Sequence, residues 1–187
     1  MIDRAEVLRY LRTNSKTQDE KILALVEKAC GEVEKAAMPK TLYRIFDCTV
    51  ENGTVTVGGA EFKSERLAEN LAGCKRAVLF GATLGVGVDR LINAAAATDV
   101  ALAMAYQAAA AAKIEAVCDA LEEELKKSGL TLRQRYSPGY FDLDVAAQKS
   151  FLSLLELTKR IGLTLTDTCE MIPTKSVTAF IGIEDKR

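Results

Sequence analysis

Between residues 3 and 38 apolar side chains recur at every third or fourth position: Ala5, Leu8 and Leu11, then Ile22, Leu25, Val26, Ala29, Val33 and Ala36–Ala37. Lys and Glu fill the opposite face, which is the pattern of amphipathic helices. Two helices are predicted, the second started by a Thr17–Glu20 capping box and stopped ahead of Pro39. The period then changes. T-L-Y-R-I-F-D-C-T-V-E alternates and is rich in β-formers, Asn52-Gly53 marks a hairpin turn, and T-V-T-V leads to Gly58-Gly59, which closes the hairpin. Ser64 to Gly73 reads as a helix with serine at its N-cap and glycine just past its end. K-R-A-V-L-F-G-A-T-L is a continuous apolar run, as expected of a buried strand.

G-A-T-L-G-V-G-V-D carries that strand into a helix. Its glycines, at 81, 85 and 87, are spaced G-x-x-x-G-x-G rather than G-x-G-x-x-G, and no parallel strand follows, so a dinucleotide fold is not indicated. A tight strand exit, or one whose amides approach a ligand, is the better reading. Val86 to Lys127 is predicted as two helices broken near Thr98-Asp99, with Asp99 capping the second. Its alanine run allows close packing, and Ser128-Gly129 stops it. After that come T-L-R-Q-R-Y as a strand, a bend at S-P-G, D-V-A-A-Q-K-S-F-L-S-L-L-E-L as a helix and K-R-I-G as a turn. L-T-L-T-D-T-C-E-M-I-P and S-V-T-A-F-I-G-I read as strands. The sum is an α+β fold: a curved, largely antiparallel sheet with long helices packed on it. Residues 1–40 form an N-terminal helical segment and residues 41–187 an α+β domain, together one compact unit.

Composition narrows the chemistry. The chain of 187 residues is long enough for a real core, and its 49% apolar and 27% charged residues are ordinary for a globular protein. A net charge of −1, without a basic cluster, argues against nucleic acid and anionic membranes as partners. Ala94 to Ala112 is apolar but is interrupted by Asp99 and Gln107, short of the roughly 20 strongly apolar residues of a membrane span. M-I-D-R-A-E lacks the regions of a secretory signal, so a cytoplasmic location is expected. Five scattered cysteines, never as C-x-x-C, read as reduced and mostly buried thiols. There is no histidine at all. Histidine acid–base catalysis, His-activated nucleophiles and the commonest metal ligand are therefore absent. Chemistry must rest on carboxylates, Lys, Tyr, Cys or a bound cofactor, and neither a catalytic residue nor a metal-ligand set stands out.

Two segments carry more. One is Arg135-Tyr136-Ser137-Pro138-Gly139-Tyr140. The other is K-R-I-G-L-T-L-T-D-T-C-E-M-I-P-T-K-S-V-T-A-F, Lys159 to Phe180. In this order, separated by one helix, they resemble the activation (reactivation) domain of cobalamin-dependent methionine synthase, with its R-x-x-P-G-Y and K-x-x-G-x-x-L-T-x-S…M-x-P-x-x-S-V-S-G segments. The match is specific over about residues 131–183. After Pro-Gly-Tyr this chain has F-D-L-D where the family commonly has a small-residue loop with a proline and a histidine.

The resemblance implies a domain that binds S-adenosylmethionine and presents its methyl group to cob(II)alamin, with flavodoxin or another reductase supplying an electron. Cobalamin itself would be carried by a partner, the cobalamin-binding domain of a methionine synthase or another corrinoid protein, because a histidine-free chain has no D-x-H-x-x-G loop. Such a chain is a component of a methyltransferase rather than a complete enzyme. The residues implied to hold the methyl donor are Arg135, Ser137, Pro138, Gly139 and Tyr140. Arg135 offers a planar fork for a carboxylate, Ser-Pro-Gly a turn with accessible backbone, and Tyr140 an aromatic face for a sulfonium or adenine. Met171-Ile172-Pro173 and Ser176-Val177-Thr178 read as fold-defining positions. The alternative is a non-enzymatic adaptor that docks on a corrinoid protein without binding S-adenosylmethionine.

Overall fold

The computed structural model describes residues 1–14 and 16–184. In chain order the elements are α1 (Arg4–Tyr10), α2 (Glu20–Ala36), β1 (Lys40–Glu51), β2 (Thr54–Val57), β3 (Ala60–Lys63), α3 (Glu65–Leu71), β4 (Arg76–Thr83), α4 (Val86–Ala96) and α5 (Val100–Lys127). They continue with β5 (Thr131–Leu132), α6 (Gln148–Leu155), α7 (Leu157–Ile161), β6 (Thr164–Leu165), β7 (Met171–Ile172) and β8 (Ser176–Glu184). One antiparallel sheet runs in the order β3-β2-β1-β4-β8-β5, and β6-β7 form a small separate hairpin.

The sheet lies between two helical layers, because β4 and β8 alternate apolar residues onto both faces. Val78, Phe80, Ala82, Ala179, Ile181 and Ile183 join the core under α1, α2, α4 and α5. Ala77, Leu79 and Phe180 join the opposite core with α3, α6 and α7. Its centre is an aromatic contact: the Phe180 ring meets Phe62 at 4.9 Å and Phe151 at 4.7 Å, both edge-on. Helices α1 and α2 share the first core with α5, so both are packed into the sheet's helical layer.

Several details differ from the pattern expected. Helix α2 is capped by Asp19, which accepts from the amides of Lys21 and Ile22, while the Thr17 hydroxyl accepts from Asp19 N–H instead of starting the helix. A carboxylate nearer the first turn is the stronger partner for the free amides and the helix dipole. Gly58-Gly59 does not end the hairpin; it turns the chain into β3, which pairs back on β2. The segment T-L-R-Q-R-Y is a strand for only two residues, then touches β8 again through the single Tyr136–Phe180 bridge. The two-residue β6 and β7 replace one long expected strand.

The helix expected from Asp144 onward is split into a 3-10 turn at Val145–Ala147, α6 and α7, and K-R-I belongs to α7 rather than to a turn. Glu156 at the break is left-handed (φ 53°). In an unbroken helix Leu155 and Leu157 would face away from each other. With the break, both are fully buried. Leu157 then reaches β4 at Gly81, where a Cβ would meet its methyls at 2.8 Å.

The alanine-rich stretch lies largely in α5, which at 28 residues is by length and composition apolar enough to cross a membrane, contrary to the estimate from Ala94–Ala112 alone. Its Ala105, Ala109 and Ala110 are fully buried in the first core, so α5 is a core helix. Asp99 caps it as expected, accepting from Leu102 N–H at 3.0 Å. The glycine-rich strand exit is a close approach between helices. Gly85 (φ +81°) caps α4, and a Cβ on Gly87 would collide with the carbonyl oxygen of Ala36 at the end of α2.

Helix propensity alone would favour alanine at Gly87 by about 1 kcal/mol. The obstacle is backbone and cannot rotate away, and overpacking of this kind costs about 1–3 kcal/mol. Gly87→Ala is therefore expected to lower Tm in thermal unfolding. A Tm at or above wild type would show that α2 and α4 can separate freely.

Candidate functional site

Where β5 ends, the chain leaves β8 and opens a cavity at the sheet edge, between the two helical layers. Its volume is about 1010 Å3. The α3 side contributes Arg66, Glu69 and Asn70; α5 contributes Glu115; α6 contributes Gln148; and the β8 edge contributes Ser176, Val177 and Thr178. The segment from Gln134 to Phe141 forms much of the remaining wall, and four of the five residues expected to hold a ligand, Arg135, Ser137, Pro138 and Tyr140, line it.

Gly139 has a different role. Its φ of +87° suits glycine, and its N–H is turned inward to the Leu143 carbonyl at 2.8 Å. The loop is closed further by Tyr140 N–H to Ser137 O and by the Tyr136 hydroxyl to Tyr140 O at 3.2 Å. This leaves Tyr140 63% exposed at the cavity wall.

F-D-L-D, the departure from the family pattern, is what holds this loop. The Asp142 carboxylate accepts from the Ser64 hydroxyl at 2.5 Å and from the amides of Glu65 at 2.7 Å and Arg66 at 3.4 Å. Ser64 Oγ at the same time caps α3 by accepting from Leu67 N–H. Leu143 is buried in the second core, and Asp144 caps the 3-10 turn that leads to Gln148.

Arg135 reaches away from the loop, onto α5. Its Nη1 donates to Asp119 at 2.8 Å and Glu122 at 2.5 Å, and its Nη2 to Glu115 at 2.5 Å. The three acids occupy one stripe of the helix, at i, i+4 and i+7. Burial by itself would lower the guanidinium pKa; the hydrogen bond to Asp119, the Cys118 sulfur, Glu122 and Glu115 outweigh it and raise the value. Among the described residues, the Arg135 Nε makes no hydrogen bond, so one edge of the fork stays open. Burial pushes the Cys118 thiol up to about 12 and the Cys48 thiol up to about 11, which makes these two poor nucleophiles, and none of the five cysteines is in a disulfide.

The wall also carries residues that sequence reasoning left out. Met171, Ser176, Val177 and Thr178, read as fold positions, line the cavity. Asn70, Gln148 and Thr178 each hold a buried side-chain oxygen without a hydrogen-bond partner. The family motif passes through Thr178, but nothing in the sequence marks Asn70 or Gln148.

The sequence model described as vitamin B12-dependent methionine synthase, activation domain, matches residues 68–186, well over half of the chain. The chain belongs to this family. The match begins far ahead of residue 131, where the resemblance could first be quoted from motifs. A crystal structure of the MetH reactivation domain bound to AdoHcy is similar in fold, with a TM-score of 0.71 at 18% identity; the likeness covers 100% of this chain and 75% of that one. The family model does not reach α1 and α2, but the likeness in fold to that one domain does. No curated protein matches by sequence.

The hydrogen bond from Ser64, then the Arg66 and Glu65 amides, hold the Asp142 carboxyl below its ordinary range. A lowered folded pKa contributes stability above the unfolded value of about 3.9, lost as pH falls through the folded one. Asp142→Asn is expected to lower Tm at pH 7, with the gap to wild type closing toward pH 3. An equal gap at both pH values would show that the ionised carboxylate is not what anchors the loop.

Proposed function

We propose that this chain binds S-adenosylmethionine in the edge cavity and serves, in trans and in the cytoplasm, to reactivate the cobalamin of a methionine synthase or related corrinoid methyltransferase. The observation that carries the reading is the placement of Arg135, Ser137, Pro138 and Tyr140, the motif residues of the family, along one wall of a cavity of about 1010 Å3. That volume is at the top of the range for small-molecule sites, about 300–1,000 Å3. The unpaired oxygens in its wall suit a polar ligand.

S-adenosylmethionine supplies a methyl group on a sulfonium, transferable to a cobalt that the partner holds and that flavodoxin or another reductase reduces. This chain's share is binding and orientation. The open Nε edge of Arg135 suits a ligand carboxylate, the exposed Tyr140 ring suits a cation or a base, and the Ser137-Pro138 turn shapes the wall between them. Positioning of this kind needs no histidine, which fits the composition.

One observation favours the adaptor reading instead: three N–H groups of Arg135 are already committed to Glu115, Asp119 and Glu122. An adaptor would bind the cobalamin-carrying partner equally with and without S-adenosylmethionine, and Arg135→Ala would leave that binding unchanged.

Calorimetric titration separates the two. Wild type is expected to bind S-adenosylmethionine, Arg135→Ala to lose most of that affinity, and Tyr140→Ala, which removes an exposed ring, to weaken it roughly five- to tenfold. No heat from folded wild type at millimolar ligand would remove the methyl-donor role and leave the adaptor.

A further inference from the structure

Two side chains of the cavity are nearly inaccessible and carry oxygens with no partner: Thr178, 1% exposed, and Gln148, 5% exposed. A buried hydroxyl or amide oxygen left unpaired keeps its full desolvation penalty, so native proteins rarely keep one without a use. Here both belong to the same wall. They come from different elements, the β8 edge and the first turn of α6, so one local backbone irregularity does not account for them.

The backbone of Thr178 points the same way. Phe180 exchanges hydrogen bonds with Tyr136 on the side of β8 away from β4, at 2.8 and 2.9 Å, and the Gly182 carbonyl accepts from Arg133 on that side. Residues two apart on a strand direct their N–H and C=O groups alike. Those of Thr178 therefore face the open edge, beyond the last contact of the Tyr136 segment. The backbone donor and acceptor of Thr178 are thus directed to that edge, and its buried hydroxyl and the buried Gln148 amide oxygen belong to residues that line the same cavity.

The charges in the wall lie elsewhere. Arg66 and Glu69 sit on α3, where they pair with each other, and Arg135 and Glu115 pair against α5. Gln148, Met171, Ser176, Val177 and Thr178 are the uncharged lining residues that α6, β7 and β8 contribute. An ammonium or carboxylate placed there would have no counter-charge, whereas a neutral group with alternating donors and acceptors is matched.

We infer that Thr178 and Gln148 are specificity-determining residues that read the uncharged nucleoside half of the ligand, leaving the charged amino-acid half to the Arg135 side. This rests on the S-adenosylmethionine reading above, and it explains why polar residues stand unpaired in an otherwise apolar core layer beside Phe151 and Phe180.

The test is calorimetry and thermal unfolding on the whole chain, with S-adenosylmethionine and, separately, adenosine as ligands. Thr178→Val and Gln148→Met, close in shape but apolar, are each expected to weaken both ligands by the same factor, roughly five- to tenfold. Tm of the ligand-free variants should stay level or rise, since no hydrogen bond is lost. Thr178→Ser should bind within about twofold of wild type, because the hydroxyl is kept.

Unchanged affinity in the Val and Met variants would overturn the inference while leaving S-adenosylmethionine binding intact. Weakened S-adenosylmethionine with unchanged adenosine would place the two residues on the amino-acid half and also overturn it. A fall in Tm matching the loss of affinity would make them structural. Failure of wild type to bind either ligand would instead refute the underlying reading, and the inference with it.

Discussion

Two hydrogen bonds between Tyr136 and Phe180 set the arrangement of the candidate site. They are the last contact between the chain after β5 and the strand β8, which pairs with β4 from Ser176 to Ile183 but with β5 only at Ile183 and Glu184. Because the contact is a single residue pair, the edge of β8 toward Ser176 stays uncovered, and the cavity occupies that gap. The same bridge orients its neighbours. Tyr136 turns its ring into the α6 layer, so Arg135, one residue earlier, is delivered to the opposite face and to α5. Phe180, on the other side of the bridge, is locked between Phe62 and Phe151. Moving the bridge by one residue would exchange these faces.

The loop beyond Tyr136 is held by polar contacts of unusual economy. Asp142 takes the Ser64 hydroxyl and two backbone amides at the start of α3, so one carboxylate docks the loop and shares the cap of a helix. Helix starts favour negative charge, and this one receives it from nearly eighty residues away in sequence. Arg135 works in the other direction: three carboxylates of α5 converge on one guanidinium and leave an excess of negative charge at that end of the cavity. A cationic ligand is favoured there over an anionic one unless the open Nε edge is engaged.

Much of the architecture was legible in the chain because it follows local periodicity. The hairpin at Asn52-Gly53, the buried strand at 76–83, the Asp99 cap and the stop at Ser128-Gly129 all rest on short-range chemistry, and all are present. The misreadings have a common cause. Thr17, the Glu156 break and the short β5 depend on what neighbouring elements offer: a better cap two residues on, two leucines that must both face a sheet, and a β8 edge that is only partly covered. Periodicity within one segment carries no information about such choices.

The candidate site divides in the same way. The motif at Arg135 to Tyr140 and its pairing with Met171 to Thr178 could be read from the sequence, as could the absence of histidine, which removes imidazole acid–base chemistry. Only the tertiary structure showed that Arg135 is caged by Glu115, Asp119 and Glu122, that Gly139 turns its amide inward, and that F-D-L-D is an anchor. It alone brought Asn70, Gln148 and Thr178 to the lining of one cavity. The reason is physical: a residue's type and spacing specify what it is able to bond, but which bonds are satisfied, and which oxygens stay unpaired in a cavity, is settled when helices and strands distant in sequence pack together.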